Sequence, residues 1–536
     1  MKFSYNWLKE LAGFADDPQE LAGFLTLRVF EVESVDKTGE DWTLDIKILP
    51  NRIADASGHA GLAREIAALK NSRFKVQSLK FAEDRNRKAA DTLRVKIENP
   101  EDCPRYTARV MDGIKVGESP TWLRERLEVC GLQSINNIVD TANYVMLETG
   151  QPLHVFDFDR LHAKDKKTIT VRRAEKGERM PALDDKTYAL NPDILVIADG
   201  QESIAIAGIK GGKHSGVSSE TRTIVLESAN FDQVRIRVGS RALNLRTDAS
   251  HRFEHGLDPN QTAAAVDRLA QFIQQVADGI ILAGTVDAYP KKIKGATILF
   301  RPAYAERLIG AKIPASFYKD AFRRLGWTAK SKGRDFVVTP PTARRDIQIE
   351  EDVIEEVARL FDYANVAPQM PHALLASLES NDEIFWEERA REFLIGAGFT
   401  ESHLYEFTGE KELETFRISK ENLLALENPA NPEMAYLTPR LMAKYVVSAA
   451  ENLRGADTVA IFGIGKSFER AKSPESGIQE RKDLVLVRAE KSGGGGEEFY
   501  QLKGPLDLLL ESLGVSDPWY DDVPGREPAP RDKFHP

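Results

Sequence analysis

Apolar and polar positions alternate with different rhythms along the chain, and each stretch predicts its own elements. A helical pattern covers residues 5–11, followed by two strand-like runs at 28–35 and 43–49. Between those runs residues 36–41, DKTGED, have the composition of a hairpin turn. Asp55 and Ser57 supply N-cap chemistry for a helix whose Leu62, Ile66 and Leu69 share one face. A charged stretch, 83–91, then closes a first module of mixed α/β character at 1–85.

The second module, 92–290, is β-rich, with strand-like runs at 168–173, 194–198, 203–209 and 223–226, and it ends in an amphipathic helix at 261–277. In the third, 291–366, two short helices flank Gly310, the second running 315–325 until Gly326. A strand at 336–339, the break Pro340-Pro341 and a helix at 349–361 complete it, a pattern that suits a small helix-turn-helix-like or winged domain. From 367 to 536, helices at 383–397 and 441–452 alternate with strands at 459–464 and 483–488. The fold class expected is therefore α+β and multidomain.

Composition narrows the function. At 536 residues the chain exceeds one core, and roughly 150 residues per domain gives three or four. The formal net charge of -10 argues against a protein that coats nucleic acid indiscriminately, so any such contact is local. No apolar run reaches the roughly 18 residues of a membrane span, and MKFSYNWLKEL lacks a secretion signal's apolar core, so a cytoplasmic protein is expected. Cys103 and Cys130 are too few for a disulfide framework and read as reduced structural thiols. The glycine run 493–496 has the composition of a loop.

Candidate chemistry concentrates in the second and third modules. Residues 134–157 place Asn136, Asn137, Asp140, Asn143 and His154 among Ile138, Val139, Tyr144, Val145, Met146 and Leu147. Buried polar groups need partners, so this is either a satisfied internal network or a ligand site. Residues 205–214 resemble a phosphate loop but carry Ala207 where that loop needs glycine and His214 where it needs Ser or Thr. Glu227 follows the apolar run 223–226, where a carboxylate faces inward and needs a donor. It is either a salt-bridge partner of Arg252 or an acceptor for a substrate hydroxyl. Thr247 and Ala249 stand two apart and share a face if that piece is extended. No Ser-His-Asp signature accompanies His154, so any hydrolysis here uses positioned water. Asp346, Asp352, Glu355 and Glu356 cluster at the start of the helix at 349–361, either as a solvated helix N-terminus or as hard oxygen ligands for Mg²⁺.

Taken together, MKFSYNWLKEL, PNRIADASGHAGLAREIAAL, SINNIVDTANYVMLETGQPLHVFD, IAIAGIKGG, VLESANF, LRTDASHRFEHGLDP and RRDIQIEEDVIEEVARL make the chain resemble the β subunit of bacterial phenylalanine-tRNA ligase, over nearly its whole length. The resemblance implies a non-synthetic subunit of an α2β2 assembly, in which the α subunit binds ATP and phenylalanine and charges tRNA(Phe). It also implies hydrolysis of mischarged tyrosyl-tRNA(Phe) by an editing pocket at Asn143, His154, Ala207, Gly208, Glu227, Thr247 and Ala249. Glu227 then accepts the phenolic hydrogen bond of tyrosine, which phenylalanine lacks. Asp346, Asp352, Glu355 and Glu356 match the family's Mg²⁺ positions, shared with the α subunit. The modules correspond to a B1-like module, a B3/B4-like editing domain, a B5-like domain and a partial, non-catalytic class II synthetase-like antiparallel-sheet core.

The sequence departs from the family pattern in three places. Ala142 stands where relatives often have Thr beside Asn143, removing one hydroxyl from the editing pocket. The turn at 36–41 occupies the point where many relatives insert an OB-fold tRNA-binding domain, and the sequence stops at 533–536 where relatives continue to an anticodon-binding domain. Two alternatives therefore stand beside the leading reading: an editing-deficient scaffold for the α subunit, and a free-standing nucleic-acid-binding module.

Overall fold

The computed structural model describes residues 1–75, 78–162, 166–371, 376, 379–421, 423–471, 477–492, 496–516 and 518. The chain divides into two compact units, 1–370 and 371–536. Residues 493–495 of the glycine run and the chain end at 533–536 lie outside the described residues.

The helix Tyr5–Ala12 begins where the Ser4 side chain accepts from Trp7 N–H and ends at left-handed Gly13. A second helix, Pro18–Arg28, was not legible in the apolar pattern; a capping box of Asp17 and Glu20 with proline at the first turn starts it. It displaces the strand expected at 28–35, which instead runs Val32–Thr38. That strand pairs antiparallel with Asp41–Ile46, Thr38 opposite Asp41, across the two-residue turn Gly39-Glu40. Asp55 and Ser57 do not cap the following helix, His59–Lys70, whose N-cap is Gly58. Asp55 is held by Arg52 at 2.8 and 2.9 Å, and the Ser57 hydroxyl is buried without a partner.

Two sheets organise the next region. In the larger, the strand order is Glu83–Lys88, Ile280–Ala283, Arg105–Asp112, Thr223–Asn230, His154–Asp157, and Val286–Ala288 also pairs with Arg105–Asp112. The charged stretch at 83–91 is thus no simple boundary: its first part is a strand, parallel to Ile280–Ala283. Thr223–Asn230 outruns the expected 223–226 because the whole segment ladders onto Arg105–Asp112, and all but its first residue are buried. The second sheet orders Lys210–Gly211, Ser203–Ile206, Leu195–Ala198, Lys167–Arg173 and Leu93–Ile97.

Most polar residues of 134–157 prove to be a satisfied network. Asn136 caps the helix Asn137–Thr149 by accepting from Ile138 and Val139 N–H. Asn137 Nδ2 donates to the carbonyls of Lys115 and Val276, and Asp140 accepts from the hydroxyls of Ser119 and Ser134 and from Ile135 N–H. Gly150 ends the helix, and the chain turns into the strand His154–Asp157.

In the third region, helices Pro302–Ile309 and Ala315–Arg324 precede the hairpin Thr328–Lys332 and Asp335–Thr339, with Ile298–Phe300 on the other side of the latter strand. The helix Glu350–Phe361 carries Glu356 and Arg359 into a buried ion cluster shared with the first region. Arg359 donates to Glu65 Oε1 at 2.5 Å and to Glu356 Oε2 at 2.6 Å. Arg52 reaches Asp55 and Glu65, both at 2.8 Å. Arg344 holds Asp346 at 2.8 and 3.0 Å and Glu356 at 2.8 Å.

In the other unit, Thr458–Arg470 and Ile478–Glu490 form a long antiparallel pair, extending past both expected strands. Thr400–Glu401 adds in parallel to the first of them. Helices Asp382–Gly396 and Leu441–Asn452 lie close to expectation; Glu497–Ser512 was not anticipated and contains Pro505.

Removing one partner from a buried ion cluster strands the others in low dielectric. Arg359→Ala is therefore expected to reduce the unfolding free energy by about 3 to 5 kcal/mol, read by urea denaturation. A change within about 0.5 kcal/mol, ordinary for a surface substitution, would show that the cluster is not buried in solution.

Candidate functional site

The register of the central strand builds the site. Glu227 lies opposite Ala108 on one neighbouring strand and opposite His154 on the other. Tyr106 sits two residues from Ala108 and so shares Glu227's face diagonally, within reach of a long side chain. Its hydroxyl donates to Glu227 Oε2 at 2.8 Å. Arg252, the alternative donor expected from sequence, instead binds the Asp248 backbone and carboxylate and the Ser57 carbonyl. Tyr106 was missed, although the β-prone run 106–111 with its one phenol marks a strand whose inner face would carry that group.

A cavity of about 80 Å³ opens against this face. His154, Ile197, Ile209, Gly211, Glu227 and Phe253 are among its lining, as are Gly208 and Ala249. Of the seven residues expected in an editing pocket, His154, Gly208, Glu227 and Ala249 therefore meet at one cavity, and Asn143, Ala207 and Thr247 are not in its lining. Ala207 is fully buried, its N–H bonded to the Leu195 carbonyl. Thr247 is the N-cap of the helix Asp248–Phe253, so Thr247 and Ala249 do not share an extended face. The Thr247 hydroxyl donates to the carbonyl of Ile209, a lining residue, and so supports the wall from behind. Asn143 lies partly exposed on the helix Asn137–Thr149. Ala142 belongs to the hydrophobic core and does not line the cavity, so no hydroxyl is missing from that wall.

Two glycines keep the wall thin. Gly208 has φ +67°, and a Cβ there would meet Phe253, Ile236 and Phe231 at 2.9 to 3.0 Å. At Gly211 a Cβ would lie 2.6 Å from His154 Cε1, so the imidazole packs directly on the backbone.

Burial sets the protonation states. It raises the Glu227 pKa from 4.5 to about 7, against the opposing hydrogen bond from Tyr106. Burial lowers His154 to about 4, so its ring is neutral at physiological pH, and Nε2 has no hydrogen-bond partner. Desolvation and the Glu227 charge push Tyr106 well above the usual phenol value, so it remains a donor. Among the described residues Glu227 Oε1 accepts no hydrogen bond. The face thus offers Oε1 of a carboxylate whose other oxygen, Oε2, already accepts from a phenol.

Among the described residues the acidic set in the third region meets other partners within this chain. Asp346 and Glu356 are neutralised by Arg344 and Arg359, Asp352 Oδ2 accepts from the N–H groups of Gln348 and Ile349, and Glu355 is exposed. Arginine thus meets two of the four acids, Asp346 and Glu356.

An acid with a raised folded pKa binds its proton more tightly when folded. Its stabilising contribution is complete below pH 4.5 and is lost as pH rises through about 7. Glu227→Gln keeps the Tyr106 hydrogen bond without the charge, so its unfolding free energy is expected to match the wild type at pH 4.5 and exceed it at pH 8 by on the order of 3 kcal/mol. Parallel pH profiles for the two proteins would contradict a buried, titrating Glu227.

The family model described as B3/4 domain matches residues 102–278, which contain the whole cavity. The tRNA synthetase B5 domain matches 298–363 and the phenylalanyl tRNA synthetase beta chain CLM domain 367–536. The phenylalanine--tRNA ligase beta subunit of Anaeromyxobacter dehalogenans is 35% identical over 500 residues, covering 91% of this chain and 62% of its own length. The subunits so named from Bacillus licheniformis and Moorella thermoacetica are each 34% identical, covering 89% and 93% of this chain and 60% and 63% of their own. The chain thus spans about three-fifths of the length of these relatives. Among solved structures, an N-terminal fragment of the phenylalanyl-tRNA synthetase beta-subunit from Pyrococcus horikoshii covers 67% of this chain and 99% of its own at 13% identity and TM-score 0.40, too slight a likeness to bear on the fold. With three domain models in order and this identity along nine-tenths of its residues, the chain belongs to the phenylalanine--tRNA ligase beta subunit family.

Proposed function

We propose that the chain is the β subunit of an α2β2 phenylalanine-tRNA ligase that hydrolyses tyrosyl-tRNA(Phe) at the Glu227 cavity in the cytoplasm, while the α subunit attaches phenylalanine to the tRNA using ATP. The observation that carries the reading is a buried carboxylate that lines an otherwise largely apolar cavity and already binds one phenol, that of Tyr106. A tyrosyl ring entering the cavity presents a second phenol to the same group. A phenylalanyl ring would desolvate the carboxylate and leave it unpaired. Sites that bind a substrate hydroxyl reject the analogue lacking it by roughly 10⁴ or more, which an apolar synthetic pocket cannot do in reverse.

His154 and Asn143 take positioning roles in this reading. A neutral, buried His154 cannot donate a proton at physiological pH and instead forms wall beside Glu227. Hydrolysis of the ester then uses water attacking the acyl carbonyl, with the tRNA ribose hydroxyl leaving. The module boundaries 1–85, 92–290, 291–366 and 367–536 go with this proposal, the last module packing on the α subunit. ATP and Mg²⁺ belong to the synthetic reaction at the α subunit. The acidic set at Asp346, Asp352, Glu355 and Glu356 carries no step of the hydrolysis, because arginines already occupy two of its carboxylates. The alternative of an editing-deficient scaffold rests on Ala142 and on the missing tRNA-binding modules; Ala142 lies in the hydrophobic core, which weakens only the first of these grounds.

The test is deacylation of tyrosyl-tRNA(Phe) by the chain assembled with a phenylalanine-tRNA ligase α subunit. Glu227→Ala is expected to slow hydrolysis by about tenfold to a hundredfold, the worth of a hydrogen bond to a charged group, with phenylalanine charging retained. Wild-type tyrosyl-tRNA hydrolysis in a folded Glu227→Ala assembly would overturn the assignment.

A further inference from the structure

Away from the cavity, His162, Glu202 and His214 converge from three loops, with one potential donor atom on each within 4.8 Å of the others. His162 follows the strand His154–Asp157, Glu202 sits in the turn between Leu195–Ala198 and Ser203–Ile206, and His214 follows Lys210–Gly211. The two imidazoles stack with centroids 5.0 Å apart and planes 4° from parallel.

Each ring has one nitrogen committed. His162 Nδ1 lies 3.0 Å from Asp199 Oδ2, and since an ionised carboxylate only accepts, Nδ1 carries the proton and Nε2 keeps its lone pair. His214 Nε2 lies 3.1 Å from the Arg160 carbonyl, which likewise fixes the proton on Nε2 and leaves Nδ1 with a lone pair. Among the described residues no donor bonds to either remaining nitrogen.

Asp199 organises more than one ring. Its side chain, with no exposed surface, also accepts from the N–H groups of His162, Gln201 and Glu202, so one buried carboxylate sets the backbone of two of the three residues. A carboxylate or carbonyl behind each ligating histidine is the arrangement that orients imidazoles on a metal and raises their basicity.

We infer that His162, Glu202 and His214 form a binding site for a divalent transition metal of the Zn²⁺ class. Two imidazoles and one carboxylate suit Zn²⁺, Co²⁺ or Ni²⁺ better than Mg²⁺ or Ca²⁺. Tetrahedral donors at about 2.1 Å stand roughly 3.4 Å apart, so binding draws the side chains closer and turns the exposed His214 ring out of its stack on His162 until both lone pairs meet one ion, with the exposed Glu202 following. The ion would tie the end of the larger sheet to the loop after Lys210 and Gly211, both of which line the cavity. The site is a structural clasp apart from the cavity, three-coordinate from protein with water completing the shell.

Zn²⁺ titrated calorimetrically into the full chain, and Co²⁺ followed by its visible absorption, test this. His162→Ala and His214→Ala are each expected to weaken Zn²⁺ binding more than about tenfold, and Asp199→Asn by roughly ten- to a hundredfold. His251→Ala, in the other histidine-bearing group with Glu254 and His255, should leave it unchanged. Zn²⁺ should raise the melting temperature of the wild type but not of His214→Ala, whose exposed side chain makes metal-free stability insensitive to the change. Wild-type Zn²⁺ affinity in both His162→Ala and His214→Ala, or loss of binding on His251→Ala alone, overturns the assignment.

Discussion

Keeping one carboxylate out of water, in the middle of a sheet, is the constraint around which this region is arranged. Glu227 occupies a strand buried along almost its entire length, where an uncompensated charge would cost several kcal/mol. The structure meets that cost in part. Tyr106 donates one hydrogen bond, and the pKa near 7 shows that the compensation stops short of what an ion needs. A fully satisfied Glu227 would have a depressed pKa and no demand left for a ligand. An isolated one would be protonated and would favour a different hydrogen bond. The intermediate state leaves a site that a hydroxyl completes, and stability is given up to keep it so.

The neighbouring features follow from that constraint. His154 stands across the ladder from Glu227, and its own burial keeps it neutral, so the two groups do not form an ion pair that would close the site. Gly211 admits the His154 ring and Gly208 admits the backbone past Phe231 and Phe253. Larger residues would collide with Phe231, Ile236 and Phe253 at Gly208 and with His154 and Leu183 at Gly211. The ion cluster of Arg52, Glu65, Arg344, Glu356 and Arg359 plays a comparable part elsewhere: it fixes the first region to the third with groups that no apolar repacking of the same shape would orient so specifically.

What could be read from the sequence tracks how local the deciding interaction is. The helices at 262–277, 315–324 and 441–452 were legible because periodicity and stop residues are written in adjacent positions. The strand at 223–230 was legible only to Leu226, since its polar half becomes a strand by pairing with 105–112, over a hundred residues away in sequence. The helix Pro18–Arg28 escaped because Leu21, Ala22 and Leu25 give it too narrow an apolar stripe for periodicity to register, although its capping box was present in the letters. At the site, Glu227 and His154 were legible as polar residues in apolar surroundings. Tyr106 was not, because nothing near Glu227 in sequence identifies a phenol on another strand. The same reasoning explains the acids at 346–356: helical spacing brings carboxylates together, but which cations meet them depends on Arg344 and on Arg52 from a distant module.

Strand register also explains why the sheet, rather than a loop, holds Glu227 where the proposed hydroxyl recognition needs it. Side chains along a strand alternate faces, so slipping Thr223–Asn230 by one residue against its neighbours would turn Glu227 away from Tyr106, His154 and the cavity together. The ladder continues from Thr223 to Asn230 on one side and through Leu226 to Ile224 on the other, and the apolar Ile224, Val225 and Leu226 fix it in place by their burial. A loop could hold the same carboxylate, but water would reach it and screen the difference between a ring with a hydroxyl and one without. Discrimination by a single hydroxyl needs an acceptor whose position cannot adjust and whose surroundings cannot substitute for the missing bond. A central strand buried on both faces supplies both conditions at the cost of a carboxyl held near its titration midpoint.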